Sequence, residues 1–194
     1  GEAPVRLPLA GKGAGWICLE KPGGVAMREY PWDPEAKDLD AALNKQLLAD
    51  KPELLRLEAS LFGSVYYLDP EISGLGLFAK NREALAHFRN QFGSSDMRFR
   101  FLFVAPVFDG ALEEGFQADA PLLPHNTKPK MIPSTAKGKK ASTRFHRLST
   151  AGGWSLWEAE ADFIRPHQVR AHFALSGVSI LGDRVYGEAE VPML

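Results

Sequence analysis

The chain has 194 residues, a formal net charge of −1, 45% hydrophobic and 24% charged residues, a composition that suits a folded domain with its own core and excludes a disordered or fibrous chain. Cys18 is the only cysteine, which rules out an internal disulfide framework and a thiolate-rich zinc site and fits a reducing, cytoplasmic setting. No apolar run reaches the roughly 20 residues that cross a bilayer, and the N-terminal residues lack the charged-then-apolar order of a secretory signal.

Taken in chain order, "GWICLEKPGGVAM" reads as a strand leaving into a Gly-rich turn at Lys21–Gly24. "DPEAKDLDAALNKQLLADKPELL" carries Leu39, Ala42, Leu43, Leu47 and Leu48 at helical spacing, interrupted by Pro52. "VYYLDPEISGLGLFAK" predicts two short apolar strands around an Asp-Pro turn, with Asp69 where the first strand ends. An ionised carboxylate among such neighbours is costly unless it is paired or does chemistry. "NREALAHFRNQF" predicts a helix with Asn81 as N-cap, Glu83 in its first turn and Gly93 at its close.

"MRFRFLFVAPV" alternates Arg98 and Arg100 with Phe99, Phe101 and Phe103, the period of a half-buried strand. Residues 108–140, rich in Pro, Gly, Lys and Ser, read as one long loop. "STRFHRLSTAGGWSLWEAEADFI" predicts a hairpin turning at Ala151-Gly152-Gly153. "RPHQVRAHFALSG" predicts a helix ending near Gly177. Strands outnumber helices and are joined mostly by hairpins, so the fold class is α+β with a largely antiparallel sheet, in a single domain over residues 1–194.

Charge is unevenly spread. Lys128, Lys130, Lys137, Lys139, Lys140, Arg144 and Arg147 fall in a stretch without Asp or Glu, whereas "DGALEEGFQADAP" is acidic. The basic tract suits either a phosphate backbone or plain solvation. Metal chemistry finds little support: His167 and His172 are five apart, with no third ligand nearby. "GKGAG" and "SGLGLF" lack the remaining residues of phosphate-binding loops, and no G-x-S-x-G elbow occurs. On a helix through "IRPHQVRAHF", Arg165, Gln168, Val169 and His172 share a face and Arg170 points about 140° away from Arg165. That face is either an anion-binding surface or a surface helix capped by its own polar residues.

Four ordered blocks, "KPGG" at Lys21, "LDPEISGLGLFAKN" at Leu68, "GKKASTRFHRL" at Gly138 and "RPHQVRAHFALSGVSILGDRVYG" at Arg165, resemble the RluA-type family of RNA pseudouridine synthases. That family shows an H-R-L-D-x-x-T-S-G-L-L-L-F-A-K segment and an R-T-H-Q-I-R-V-H segment followed by I-L-G-D-x-x-Y-G. The resemblance covers Trp16 to Gly187 and implies a pseudouridine synthase-like catalytic domain, a mixed, largely antiparallel sheet flanked by helices. It implies that Asp69 is the catalytic residue, acting covalently on a uridine whose base leaves C1′, rotates and rejoins through C5. Arg170 would pair with that carboxylate and keep it ionised. No metal or organic cofactor is implied. The partner would be a structured ribosomal or transfer RNA, bound by a cytoplasmic monomer through Arg165, Gln168 and the tract containing Lys139, Lys140 and Arg144.

Three positions depart from the family pattern. Tyr66-Tyr67 stands where the family has His-Arg, Ile72 replaces the Thr of T-S-G-L, and the K-x-Y strand falls on Arg98-Phe99-Arg100. Tyr67 would then wedge into the RNA by stacking, and Arg100, or Phe99 or Phe101 in a shifted register, would cover the target base. Two functions follow: an active synthase with altered base handling, or a degenerate relative that binds structured RNA without isomerisation. A protein-interaction module is a third.

Overall fold

The computed structural model describes residues 6–107 and 114–187. They fall in two compact units, Gly1–Ser94 and Ser95–Leu194.

The first unit holds β1 (Leu9–Lys12), β2 (Trp16–Lys21), α1 (Leu39–Leu48), α2 (Pro52–Leu55), β3 (Gly63–Ser64), β4 (Gly74–Ala79) and α3 (Arg82–Gly93). Its antiparallel sheet runs β1-β2-β4-β3, and Ile17, Leu19, Met27, Phe78 and Ala79 are buried. Asp38 caps α1 by accepting from Ala41 N at 2.8 Å. Pro52 both ends the helical run and opens α2, where its missing N–H costs nothing. Asn81 caps α3 through Ala84 N. The strand expected before Asp69 is much shorter than its composition suggests. Only Gly63–Ser64 pairs with β4; Val65 N still reaches Leu77 O at 3.0 Å, but the next carbonyl on that edge, Leu75 O, is taken by the Tyr66 phenol at 2.7 Å. A side chain has displaced the main-chain ladder.

The second unit holds β5 (Phe99–Pro106), β6 (Gly115–Ala118), β7 (Leu122–Pro124), β8 (Met131–Pro133), β9 (Thr143–Ala151), β10 (Trp154–Ala161) and α4 (Gln168–Ala174). Its antiparallel sheet runs β5-β10-β9-β6, with β7 and β8 as a separate ribbon. Gly152 and Gly153, at φ 59° and 83°, turn the β9–β10 hairpin in two residues; positive φ at both central positions matches the twist of the flanking strands. Trp157, Ala159, Phe145 and Ala105 on one sheet face pack against Val169 and Phe173 of α4. Phe173 meets Phe103 edge-on at 4.7 Å and Trp157 at 5.3 Å.

Two expectations are corrected here. The stretch read as one loop carries β6, β7 and β8 where it is described; residues 108–113 of it lie outside the described residues. Gly138 lets the chain close beside β7, since a Cβ there would run into the carbonyls of Ser134 and Pro121. And α4 begins at Gln168, not at Arg165: its N-cap, His167, sits in the left-handed region at φ 55°, so the helix does not extend back to Arg165. No helix of the described residues is long and apolar enough to cross a membrane.

Candidate active site

Asp69 is 4% exposed and opens a four-residue turn, Asp69-Pro70-Glu71-Ile72, closed by Ile72 N donating to Asp69 O at 3.1 Å. Proline at the second position presets the backbone for such a turn. A second turn, Lys21–Gly24, clasps the first: Gly24 N donates to Pro70 O at 2.7 Å. Between them lies Lys21, 2% exposed, whose ammonium donates to Pro22 O, Val25 O and Pro70 O at 2.9, 2.7 and 3.0 Å. All three protons of the ammonium are thus placed on main-chain oxygens. Burial lowers the Lys21 pKa to about 8, against the opposing pull of Asp69 and Glu71. Sequence reading singled out this "KPGG" block but not the lysine as a clasp; its signal was the motif itself.

Tyr67, two residues before Asp69, is 6% exposed. Its ring lies parallel to Tyr30 at 6.5 Å, with the Arg28 guanidinium 5.9 Å from its centroid. Burial, then the nearby Asp69, raises its phenol pKa. The ring expected to stack on RNA is thus buried beside Tyr30. Tyr66, buried and bonded to Leu75 O, is raised to about 12, mainly by burial.

In the second unit Arg170 is 7% exposed and grips Asp183 with two bonds, Nε to Oδ2 at 2.7 Å and Nη2 to Oδ1 at 3.0 Å. Its guanidinium also lies 5.5 Å from the Tyr186 ring. Asp183 Oδ1 accepts the amides of Val185 and Tyr186 as well. Burial alone would raise that carboxyl, but Arg170 and the two amides hold it below the usual carboxylate range. Asp183 was not singled out from the sequence, although it is the Asp of the quoted I-L-G-D block.

Gln168 is buried and committed. Its Nε2 donates to Ser142 O, Phe163 O and Thr143 Oγ1, and its Oε1 accepts Arg165 N. The chain of bonds continues from Thr143 Oγ1 to His172 Nδ1 at 2.8 Å, while His172 Nε2 donates to Ala120 O at 2.8 Å. Since a carbonyl only accepts, Nε2 carries a proton; burial lowers the His172 pKa, so the ring is the neutral Nε2–H tautomer and Thr143 donates to Nδ1. Gln168 thereby ties the start of α4 to the residues leading into β9. His167 faces the Tyr186 hydroxyl at 3.1 Å, and that hydroxyl in turn accepts Met131 N at 2.6 Å. Burial, then the charge of Arg170, lowers the His167 pKa to about 3. Both histidines are buried and hydrogen-bonded.

The remaining cations stand on the surface. Arg165 donates to Lys140 O at 2.9 Å and lies 4.9 Å from the Phe163 ring. Lys139 and Lys140 are exposed. Arg100 projects from the outer face of β5 into Glu160 at 2.9 Å, and Arg144 lies 3.9 Å from Glu160 and 3.6 Å from Asp162. Glu160 and Asp162 thus offset much of the positive charge in this part of the sheet. Phe99, Phe101 and Phe103 point to the other face of β5, so Arg100 and these rings lie on opposite sides of the sheet.

A family model described as RNA pseudouridylate synthase matches residues 15–175. An "Uncharacterized RNA pseudouridine synthase" of Chloroflexus aurantiacus is 30% identical over 86% of this chain and 50% of its own length. A "Ribosomal large subunit pseudouridine synthase D" of Borreliella burgdorferi is 34% identical over 96% of this chain and 57% of its own length. The chain spans about half the length of these curated relatives. Among solved structures, human RNA pseudouridylate synthase domain containing 4 aligns over 94% of this chain and 70% of its own, with a TM-score of 0.73 at 17% identity. Human RNA pseudouridylate synthase domain containing 1 aligns over 97% and 74%, with a TM-score of 0.69 at 19% identity. These likenesses bear out the α+β fold.

Proposed function

Because the chain belongs to the RNA pseudouridylate synthase family, we propose that it isomerises a specific uridine of a structured RNA to pseudouridine, with Asp69 as the nucleophile. The observation that carries this reading is the burial of Asp69 at the head of a turn clasped by Lys21, an arrangement that holds one carboxylate in a fixed place away from bulk water. Such a carboxylate is a stronger nucleophile than a hydrated one. In the proposed reaction the carboxylate bonds to C1′ as the bond from C1′ to N1 breaks, the base turns, and C5 bonds to C1′ as the carboxylate leaves; C5 then loses its proton and N1 gains one, so the product is an isomer and no cofactor is consumed. Arg170 enters as the guanidinium that the motif resemblance pairs with the nucleophile, favouring its charged form.

Ribosomal RNA is the substrate class we favour, since relatives carry the name ribosomal large subunit pseudouridine synthase D. A target uridine must leave its stack to meet Asp69, at a cost of about a few kcal/mol, and the exposed Lys139 and Lys140, with Arg165, are the phosphate contacts that would offset it.

The test is a map of pseudouridines in RNA from cells lacking the gene, complemented with the intact protein or with Asp69→Asn. We expect one or a few sites to vanish on deletion and to return only with the intact protein. Return with Asp69→Asn, or no change on deletion, would remove the enzymatic reading.

A further inference from the structure

The segment between β2 and α1 leaves and re-enters the first unit at one place. Ala26 bridges to Asp38, Leu39 N donates to Ala26 O at 3.0 Å and Asp40 N to Met27 O at 2.9 Å. Pinned at both ends, "REYPWDPEAK" is a short excursion, shaped at its tip by Asp33 N donating to Tyr30 O and Ala36 N to Asp33 O. Its aromatic residues are ordered against each other and against the chain near Asp69. Trp32 meets Tyr30 edge-on at 5.5 Å, and Tyr30 lies parallel to Tyr67.

One buried polar group in this cluster lacks the partner that burial ordinarily demands, and a half-buried cation stands beside it. The Tyr67 hydroxyl is buried with no hydrogen-bond partner. The half-buried Arg28 guanidinium contacts the Tyr67 ring and, among the described residues, has no hydrogen bond or ion pair. Asp40, whose charge attracts it, is committed to Ser64, accepting from the amide at 2.7 Å and from the hydroxyl at 2.8 Å. A second guanidinium, Arg89, approaches the same serine, donating to Ser64 O. A buried hydroxyl in this condition costs about 1–3 kcal/mol, and beside it the half-buried guanidinium leaves its donors for a ligand.

We propose that Arg28, Tyr30 and Trp32, backed by Tyr67, form a subsite for an unstacked nucleobase of the RNA strand, next to the base handled by Asp69. A nucleobase supplies what the cluster lacks: a flat face for aromatic and guanidinium stacking, and ring oxygens or nitrogens that accept from Arg28. A bare phosphate would satisfy the guanidinium but leave the aromatic residues without purpose. The proposal rests on the reading of this chain as an RNA-acting protein.

It is tested with two fluorescein-labelled oligomers of equal length, decauridylate and an abasic ribose-phosphate chain, by anisotropy at low salt. The intact protein is expected to prefer decauridylate. Tyr30→Leu is expected to weaken decauridylate binding about 5- to 150-fold, the range of one base–aromatic stack, and to leave abasic binding unchanged, while Tyr30→Phe restores the preference. Arg28→Gln is expected to weaken binding and to flatten the salt dependence by about one charge. Thermal melting of each variant separates lost contact from lost fold, and Tyr30→Phe keeps the test informative if Tyr30→Leu melts early. Decauridylate binding by Tyr30→Leu and Arg28→Gln equal to that of the intact protein, or equal affinity of the intact protein for both oligomers, would overturn the subsite. If it does so while Asp69-dependent pseudouridine is still made, the RNA reading stands; if the intact protein binds neither oligomer and makes no pseudouridine, both fall.

Discussion

In the unit that carries Asp69, buried charge is met by the main chain: three carbonyls hold the Lys21 ammonium, and Asp40 takes an amide and a hydroxyl from Ser64. In the unit that carries Arg170, buried polar groups also have main-chain partners, but they are linked to one another side chain to side chain as well. Arg170 grips Asp183, Gln168 joins Thr143, and Thr143 joins His172. Turns supply carbonyls wherever the chain reverses, so the first solution is local and partly redundant. A side-chain network needs every member present, and losing one leaves the next unsatisfied. The second unit is therefore the one more easily broken by a single substitution.

The largest effect is expected at Arg170. Arg170→Met removes the cation and leaves Asp183 buried at 8% exposure, a loss of about 3–5 kcal/mol, read as a lower midpoint in urea unfolding. Adding Asp183→Leu to it should recover most of that loss, because the stranded charge goes too. A double variant as unstable as the single one would show that Asp183 is not what Arg170 holds.

A smaller effect is expected at Lys21. Lys21→Met keeps the volume but strips a donor from three carbonyls, of which Pro70 O retains the Gly24 amide. The expected loss is about 1–3 kcal/mol in the same unfolding experiment. Pseudouridine formation should fall further than stability does, because the turn that places Asp69 is loosened. If Lys21→Met costs as much as Arg170→Met, the contrast between main-chain and side-chain solutions is wrong.

Much of this was legible in the sequence where the signal is local. Asn81 as a cap, Gly152-Gly153 as a turn and the alternation of β5 each depend on neighbours within a few residues. So did the placement of Asp69 in an Asp-Pro turn. Long-range competition was not legible: nothing near Tyr66 announces that its phenol will take Leu75 O and end a strand early. Arg165 read as helical because periodicity does not register His167 at φ 55°. The excursion at Arg28–Trp32 was passed over for a similar reason. Its meaning lies in Tyr67, some forty residues along, and no spacing rule connects them.

The least effect at neutral pH, and the sharpest test of how the second unit is wired, comes from His167→Asn. Asparagine tolerates the left-handed conformation, and at pH 7 the change removes the hydrogen bond with Tyr186, worth about 1 kcal/mol. Acidification separates the two proteins. Burial and Arg170 hold the His167 pKa near about 3 in the folded chain, against 6.5 when unfolded. As pH falls from 6.5 toward 3 the unfolded state takes up a proton that the folded state refuses, so the native chain loses stability over that window. His167→Asn removes this contribution, and its stability should fall less steeply with acid, by up to one proton. His172, whose pKa is also lowered by burial, remains and acts with the same sign, so the slope shrinks without vanishing. Asp183, held below the carboxylate range, adds its loss only at lower pH. Between pH 6.5 and 4, then, the difference between the two unfolding curves reports His167; identical slopes there would mean that His167 titrates normally and that Arg170 and burial do not act on it as the geometry requires.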